Sequence, residues 1–341
     1  MNNRNELIKV LGYFQNGEHL SEHDAEGFFD SLLAEENEDL LARILIAWNA
    51  KGVIEDELFF LASIMRQRAT KVTSKHTNFV DAVGTGGSLA KTFNVSTAAA
   101  FVIAGAGVPV AKHGNRAATS NSGSADVLGE LGVNPSVNAS IAGECLNTLG
   151  ICFMFAPNFH KLSPVLGKIR RELGVPTIFN NLGPLCNPAS APHQIIGVWH
   201  EELVEKTANV LARLGTKRSW VVHGEDGLDE ITLAGKTQVA EIEGNRIRHF
   251  EISPNDFGID AEPLGPAKRT TPRASADLIR STLRGTGGTA ATNLVLINAA
   301  APIYLAGKAN NLAEGIKYAK ASIESGAALR KLDELIAATN K

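Results

Sequence analysis

Residues 81–116, DAVGTGGSLAKTFNVSTAAAFVIAGAGVPVAKHGNR, limit the possible folds of this chain more than any other segment. A short apolar run leads to Gly84, Gly86 and Gly87, where the missing side chains let backbone N–H groups approach a ligand closely. An alanine-rich helix follows, and the next apolar run ends at a lysine. A strand, a glycine turn, a helix and a second strand in this order are typical of α/β domains that bind ligands at the turn.

The same alternation continues along the chain. The short apolar runs that predict strands are residues 79–83, 108–111, 151–155, 195–198 and 220–223. Helical stretches lie between them, so the sequence predicts an α/β fold with a mainly parallel sheet flanked by helices. A second Gly-Thr-Gly-Gly, residues 285–288, precedes a long apolar helix without polar ligands, and we interpret it as a helix-start turn.

The N-terminal part, up to about residue 68, has a helical pattern because its apolar residues recur at spacings of three and four. Ser21 and Asp24 form a start signal for the second helix, and Gly52 is placed to end the third. We therefore expect a smaller all-helical N-terminal domain, residues 1–72, joined by a helical segment near 160–185, and an α/β domain, residues 73–341.

Charge and cysteine content exclude several classes of partner and site. The formal net charge is -3, so no broad positive field attracts nucleic acid or an anionic membrane, and any anion site has to be local. Cys145, Cys152 and Cys186 lack the two-residue spacing of a zinc ribbon or redox pair, which favours a reducing compartment. No uncharged apolar run reaches 18 residues. We expect a cytoplasmic protein without nucleic-acid or membrane partners.

Polar side chains flank the alanine-rich helix on both sides. Those at its start, where the dipole and unpaired N–H groups favour an anion, are Thr92, Asn94, Ser96 and Thr97. Those after the next strand are Lys112, His113, Asn115, Arg116, Thr119, Ser120, Ser122 and Ser124. A glycine turn alone is common in structural loops, but with these groups it predicts a phosphate site. For Arg116 a structural ion pair is the alternative.

Seven motifs in succession resemble the anthranilate phosphoribosyltransferase family: GTGG-x(4)-TFN-x-ST, AKHGNR, SGSADVL-x-x-LG, FAP-x-FH, IRRELG, TIFNNLGPLCNPA and GLDE. The resemblance extends over nearly the whole chain. It implies a nucleoside phosphorylase/phosphoribosyltransferase-like fold that transfers phosphoribosyl from phosphoribosyl pyrophosphate to anthranilate in tryptophan biosynthesis. It also implies Mg²⁺ as cofactor and a homodimer formed through the small helical domain.

The resemblance also assigns residues. The phosphoribosyl pyrophosphate site would comprise Gly84, Gly87, Ser88, Thr92, Asn94, Ser96, Thr97, Lys112, Thr119, Ser120 and Ser124. The anthranilate site would comprise Gly84, His113, Asn115 and Arg170, whose planar guanidinium suits a carboxylate. The metal ligands would be Ser96, Asp229 and Glu230; without the resemblance, a solvated acidic loop is the better interpretation of the two carboxylates. Because an aniline nitrogen is neutral at pH 7, no side chain is expected to be indispensable as acid or base.

The chain departs from the family pattern at a few positions. Ser88 stands where the family usually has Asp, Pro176 where it often has Arg, and Thr292-Asn293 where it often has Arg-Asp. The alternatives are therefore a paralogue with another aromatic acceptor, a pyrimidine nucleoside phosphorylase and an inactive nucleic-acid-binding homologue.

Overall fold

The computed structural model describes residues 3–88, 90, 92–117, 122–268 and 271–341. Its helices are α1 (Asn3–Gln15), α2 (Glu22–Ala34), α3 (Glu38–Lys51), α4 (Glu55–Arg68), α5 (Val95–Gly105), α6 (Ser124–Glu130), α7 (Ala139–Leu149), α8 (Ala156–His160), α9 (Pro164–Leu173), α10 (Ile178–Leu185), α11 (Glu202–Arg213), α12 (Pro272–Leu283), α13 (Thr289–Leu305), α14 (Leu312–Glu324) and α15 (Ala327–Thr339). Its strands are β1 (Val80–Gly84), β2 (Val110–Gly114), β3 (Ile151–Phe155), β4 (His193–Gly197), β5 (Arg218–Gly224), β6 (Thr237–Glu243) and β7 (Arg246–Ile252).

Within the described residues the strands form one sheet in the order β3-β2-β1-β4-β5-β6-β7. Neighbours from β3 to β5 are parallel, whereas β6 and β7 are added antiparallel. The predicted α/β fold with a mainly parallel sheet is confirmed. The chain order reverses on the two sides of β1, because β2 and β3 lie on one side and β4 and β5 on the other. The carboxyl ends of strands at such a reversal are the usual ligand site of open α/β sheets.

One face of the sheet is covered by α5 and α13, which in turn are covered by α14 and α15. Buried between sheet and outer helices, α5 and α13 are apolar on almost every side, as helices in such positions usually are. This rigid layer fixes the start of α5 against the end of β1, where the sequence predicts a phosphate site.

The other face carries α10 and α11, and the N-terminal helices pack onto the same layer. Their buried side chains form one continuous core with the sheet, for example through Trp48, Leu182 and Ile196. Helix α9 packs on α3. The predicted joining segment near 160–185 therefore lies against the N-terminal helices, while the domain boundary at residue 72 stays a prediction.

Local signals in the sequence act as expected. The Ser21 hydroxyl accepts a hydrogen bond from the Asp24 amide at the start of α2, and Gly52 ends α3 with a φ of 86°. Gly288, with a φ of 79°, directly precedes α13, which confirms the helix-start turn. No helix in the described part of the chain has the length and apolarity that a membrane crossing requires.

The hairpin of β6 and β7 is absent from the sequence-based prediction. Its second strand lies at the edge of the sheet and exposes charged side chains such as Arg246 and Arg248, so it lacks the apolar run by which the other strands were predicted. Elsewhere β3 has the predicted bounds 151–155, and the other predicted strand ends differ by one to three residues; β1, for example, runs from Val80 to Gly84 instead of 79–83.

Candidate active site

A cavity of about 250 Å³ opens at the carboxyl ends of β1 and β2. Its walls include the glycine turn after β1, the start of α5, the turn after β2, helix α10 and the acidic loop around residue 229. Both faces of the sheet therefore contribute to a single cavity.

Two glycines allow the acidic loop to approach the glycine turn. A β carbon at Gly84 would lie 2.6 Å from Asp229 Oδ2, and one at Gly197 would lie 1.7 Å from the Asp229 carbonyl oxygen. The Gly86 amide donates to Asp229 Oδ2 at 2.8 Å. Any larger residue at the ends of β1 and β4 would push Asp229 away from the cavity.

Glu230 is held by the start of α5, since the Ser96 amide donates to Glu230 Oε1 at 2.9 Å. Burial and the neighbouring Asp229 carboxylate raise the pKa of Glu230 well above its usual value. Two carboxylates and the Ser96 hydroxyl are hard oxygen ligands of the kind that Mg²⁺ prefers, and a cation between the carboxylates would relieve their repulsion. Among the described residues no group of three or more acidic, histidine or cysteine side chains could hold a metal. A metal here would therefore complete its coordination with water or substrate oxygens, as Mg²⁺ commonly does.

Ser88 connects the glycine turn to the acidic loop. Its hydroxyl lies 2.7 Å from the Gly227 carbonyl oxygen and 2.9 Å from that of Ala90, so its single hydrogen can be donated to the backbone on one side or the other. Where the family usually has a third carboxylate, this chain has an uncharged link between two loops.

Successive residues of β2 serve opposite faces of the sheet, because side chains alternate along a strand. Lys112 points to the α5 side, where its ammonium donates to the Ala82 carbonyl at 2.6 Å and to the Ser96 hydroxyl at 3.3 Å. Burial lowers the pKa of Lys112, and the charges of Asp81 and Glu230 oppose that shift. His113 points to the α10 side. The cavity thus has one half beside α5 and another beside α10.

In the α10 half, His113 Nδ1 lies 3.1 Å from the Gly183 carbonyl oxygen, and its Nε2 lies 3.2 Å from His160 Nε2. A carbonyl oxygen only accepts, so Nδ1 of His113 carries the proton and its Nε2 accepts from His160. Burial lowers the pKa of His160 to about 4 and that of His113 well below its usual value. Both rings are therefore neutral at pH 7.

Arg170 is the cation of the α10 half. Its guanidinium lies over the Phe179 ring, 5.2 Å from the centroid, and Nη2 is 3.4 Å from Asn180 Oδ1. Its Nε is buried without a hydrogen-bond partner. Burial, followed by the charge of Arg171, lowers the pKa of Arg170 to about 10, so the side chain stays charged at pH 7. Within the described residues no carboxylate forms an ion pair with Arg170, although a buried charge is usually paired.

The cavity brings together most of the residues that the resemblance assigned. Those on its wall are Gly84, Gly87, Ser88, Thr92, Asn94, Ser96, Lys112, His113, Asn115, Ser124, Arg170, Asp229 and Glu230. Thr97 is not on the wall: it lies inside α5, one residue and so about 100° around the helix from Ser96, and its side chain is buried. Thr119 and Ser120 lie outside the described residues.

Among the residues at the site that the sequence did not assign, three polar side chains contact assigned ones. His160 and Asn180 lie on the wall, and both occur in motif strings that carried the resemblance. Asp81 is fully buried beneath the site, where it accepts from the His113 amide and from Asn187 Nδ2. Burial raises the pKa of Asp81 to about 6, with the Lys112 charge opposing the shift. The sequence indicates Asp81 only through its position as the first residue of the glycine-turn motif, DAVGTGG.

Comparison with known proteins gives a consistent result. The family described as "Glycosyl transferase family, a/b domain" matches residues 76–329. The anthranilate phosphoribosyltransferase of Pelotomaculum thermopropionicum is 45% identical over 98% of this chain and 95% of its own length. The crystal structure of the Thermus thermophilus enzyme is 37% identical, with a TM-score of 0.87 over 97% of this chain and 99% of that one. The Saccharomyces cerevisiae enzyme in complex with PRPP and Mg is 30% identical, with a TM-score of 0.87 over 98% of each chain.

Proposed function

We infer that this chain, which belongs to the anthranilate phosphoribosyltransferase family, transfers the phosphoribosyl group of phosphoribosyl pyrophosphate to anthranilate. The products are N-(5-phosphoribosyl)anthranilate and pyrophosphate, and the reaction is a step of tryptophan biosynthesis. The comparisons do not favour a nucleoside phosphorylase or a nucleic-acid-binding homologue.

The assignment of residues to the two substrates rests on one observation: β2 divides the cavity into two halves. The α5 half offers Lys112, Asn94 and Ser96 beside the glycine turn, which are donors suited to phosphate oxygens. The α10 half offers the unpaired guanidinium of Arg170, which suits a carboxylate, beside a neutral histidine. An anionic sugar donor and an aromatic acid would thus bind on opposite sides of one strand, at the end where both open to the same space.

We assign the donor site to Gly84, Gly87, Ser88, Thr92, Asn94, Ser96, Lys112 and Ser124. The charge of Lys112 is held in place by two bonds from its ammonium, which leaves one N–H for a substrate oxygen. Such fixed donors stabilise the charge that develops on departing pyrophosphate without having to reorganise.

We assign the acceptor site to Gly84, His113, Asn115 and Arg170. Arg170 would fix the carboxylate, and His113, whose Nε2 lone pair is taken by His160, would contribute a neutral ring to the wall beside it. The amine is neutral at pH 7 and has its own lone pair, so placement supplies much of the acceleration and no strong base is required.

Asp229, Glu230 and Ser96 are the residues that would hold Mg²⁺ in this chain. When bound, the cation supplies charge stabilisation to the pyrophosphate leaving group. The chain itself contributes the anchoring of both carboxylates by the Gly86 and Ser96 amides, which keeps the acidic loop beside the donor half.

The test is a fluorescence assay of anthranilate consumption with phosphoribosyl pyrophosphate, with and without Mg²⁺. We expect turnover that needs both substrates and is lost on chelation of the metal. Close analogues of anthranilate run in parallel test the acceptor, and phosphorolysis of thymidine or uridine tests the phosphorylase alternative. Turnover of an analogue in preference to anthranilate would contradict the acceptor assignment.

We also propose a homodimer formed through the N-terminal helices. Two large apolar side chains, Ile8 on α1 and Ile46 on α3, are each 54% exposed on helices that pack against each other. The cytoplasmic location expected from the sequence stays a prediction.

A further inference from the structure

Asn94 lies directly before α5 but does not cap it in the usual way. Asparagine at this position normally accepts a hydrogen bond from an amide of the first helical turn through its side-chain oxygen. In this chain the Asn94 side chain makes no capping bond. Its carboxamide is turned to other partners, and one of them lies far away in the sequence.

Two serine hydroxyls take up the carboxamide oxygen of Asn94. Ser122 Oγ lies 2.8 Å and Ser275 Oγ 2.9 Å from Asn94 Oδ1. Ser275 belongs to α12 and is fully buried, and its oxygen also accepts a hydrogen bond from the Asn94 amide at 3.0 Å. Ser275 and Asn94 are therefore joined by a reciprocal pair of hydrogen bonds.

This pair and the backbone carbonyl of Ser122 together determine which end of the carboxamide faces the cavity. The backbone N–H of Asn94 can only donate, so the single hydrogen of the Ser275 hydroxyl is left for the carboxamide oxygen. With Oδ1 engaged by two hydroxyls, the amide end is the free end. Nδ2 gives one N–H to the Ser122 carbonyl oxygen at 3.2 Å and keeps a second on a residue that lines the cavity.

We propose that Ser275 is a positioning residue for the phosphoribosyl donor, because it holds Asn94 with its N–H donor, not its carbonyl acceptor, toward the anion site. The proposal rests on the proposed function. An anion requires donors, and a carboxamide held by Ser122 alone would turn its oxygen to the substrate more often and repel it. Ser275 does not line the cavity, so it acts through Asn94 alone.

The first variant is Ser275→Ala. Loss of a positioned donor bond should raise the KM for phosphoribosyl pyrophosphate about tenfold, with kcat within about threefold and the KM for anthranilate unchanged. Ser322→Ala is the matched control: Ser322 is also a buried serine bonded to α5, but its hydroxyl donates to the Val102 carbonyl at 2.8 Å, in the middle of the helix. The control should lose similar stability and keep the wild-type KM for both substrates.

A double-mutant cycle with Asn94→Ala separates positioning from a general structural effect. If Ser275 acts through Asn94, Ser275→Ala should change the KM for phosphoribosyl pyrophosphate less than about twofold in the Asn94→Ala background. A tenfold effect that persists in that background would overturn the proposal. So would a wild-type KM in Ser275→Ala.

If Ser275→Ala does not fold, Ser275→Cys fills the site with a weaker donor and acceptor, and a KM rise of about threefold or more is expected. A wild-type KM in folded Ser275→Cys also overturns the proposal. Calorimetry of phosphoribosyl pyrophosphate and Mg²⁺ binding to the wild-type chain tests the proposed function separately from the role of Ser275. Absence of binding there contradicts the proposed function, whereas normal wild-type binding with unaltered Ser275 variants contradicts only the role of Ser275.

Discussion

The chemistry of Arg170 depends on a partner that the fold does not supply. Arg170 is half-buried beside Phe179 and Asn180, with its Nε fully buried, yet no carboxylate among the described residues neutralises it. A buried unpaired charge is costly, and a ligand carboxylate can offset that cost with two parallel hydrogen bonds. The same burial that lowers the pKa of Arg170 therefore favours the binding of an anionic aromatic acid.

Replacement of Arg170 by lysine should raise the KM for anthranilate about tenfold or more, because an ammonium cannot form the paired bonds of a guanidinium. The KM for phosphoribosyl pyrophosphate should stay within about twofold, since Arg170 lies in the other half of the cavity. Steady-state kinetics with each substrate varied would measure both. Arg171→Lys is the control, because the neighbouring side chain is exposed and off the cavity wall. Equal effects of the two variants would refute the assignment.

The buried His160 should make stability depend on pH. Because burial lowers its pKa to about 4 in the folded chain, the unfolded chain binds a proton below about pH 6.5 that the folded chain does not. Its contribution is fully present above pH 6.5 and is lost as the pH falls toward 4. Between pH 7.5 and 5.0 the wild type should lose about 2 kcal/mol more than His160→Gln. Urea unfolding at both pH values measures this, and parallel losses in the two proteins would contradict it.

At the scale of elements, each helix or strand places its polar groups by its own periodicity. The alternation along β2 sends Lys112 to one half of the cavity and His113 to the other. The helical period of α5 leaves Ser96 at the cavity and turns Thr97 into the core. A motif alone does not distinguish such neighbours, because it does not specify where each side chain points.

The helix α4 contains two adjacent acidic residues that differ in burial. Glu57 is fully buried and accepts from Trp48 Nε1 at 2.8 Å, from the Leu20 amide at 2.9 Å and from the buried Lys51 ammonium at 2.8 Å. Asp56 forms an exposed ion pair with Arg213.

Glu57→Gln should lower the free energy of unfolding by about 3 kcal/mol or more, because it leaves the buried Lys51 charge without its carboxylate. Asp56→Asn, the matched control one residue earlier, should lower it by less than about 1 kcal/mol. Urea unfolding at pH 7 measures both values. A similar small loss in the two variants would show that the buried pair contributes little to stability.

At the scale of the whole molecule, the active cavity is lined by groups from both faces of the sheet of one chain. The proposed dimer contact, in contrast, involves the N-terminal helices. In the proposed dimer, association would depend on α1 and α3, whose residues do not line the cavity.

The double variant Ile8→Lys/Ile46→Lys should be monomeric in sedimentation equilibrium, because charges replace two exposed apolar side chains of the proposed contact. Its kcat should stay within about threefold of the wild type, since neither Ile8 nor Ile46 lies on the cavity wall. A wild-type protein that sediments as a monomer at micromolar concentrations would contradict the dimer. A dimeric double variant would contradict its location.

Much of the architecture follows from local pattern. The buried parallel strands could be predicted because each is a short apolar run. The helix ends at Ser21, Gly52 and Gly288 could be predicted because each signal acts within a few residues. The family, the reaction and most of the cavity wall followed from seven motifs in order. The edge strand β7 was missed because its charged side chains face solvent and leave no apolar run.

Apolar periodicity and motif residues are properties of neighbours in the chain, so the fold class and the chemistry can be inferred without coordinates. Which groups meet depends on how distant segments pack. Ser275 reaches Asn94 across 181 positions, and Asp229 reaches Gly86 across 143. Such contacts depend on the packing of α12 and of the acidic loop against α5 and β1, and no local pattern encodes that packing. The lack of a carboxylate partner for Arg170 among the described residues has the same origin, since it depends on which side chains the fold packs around the guanidinium.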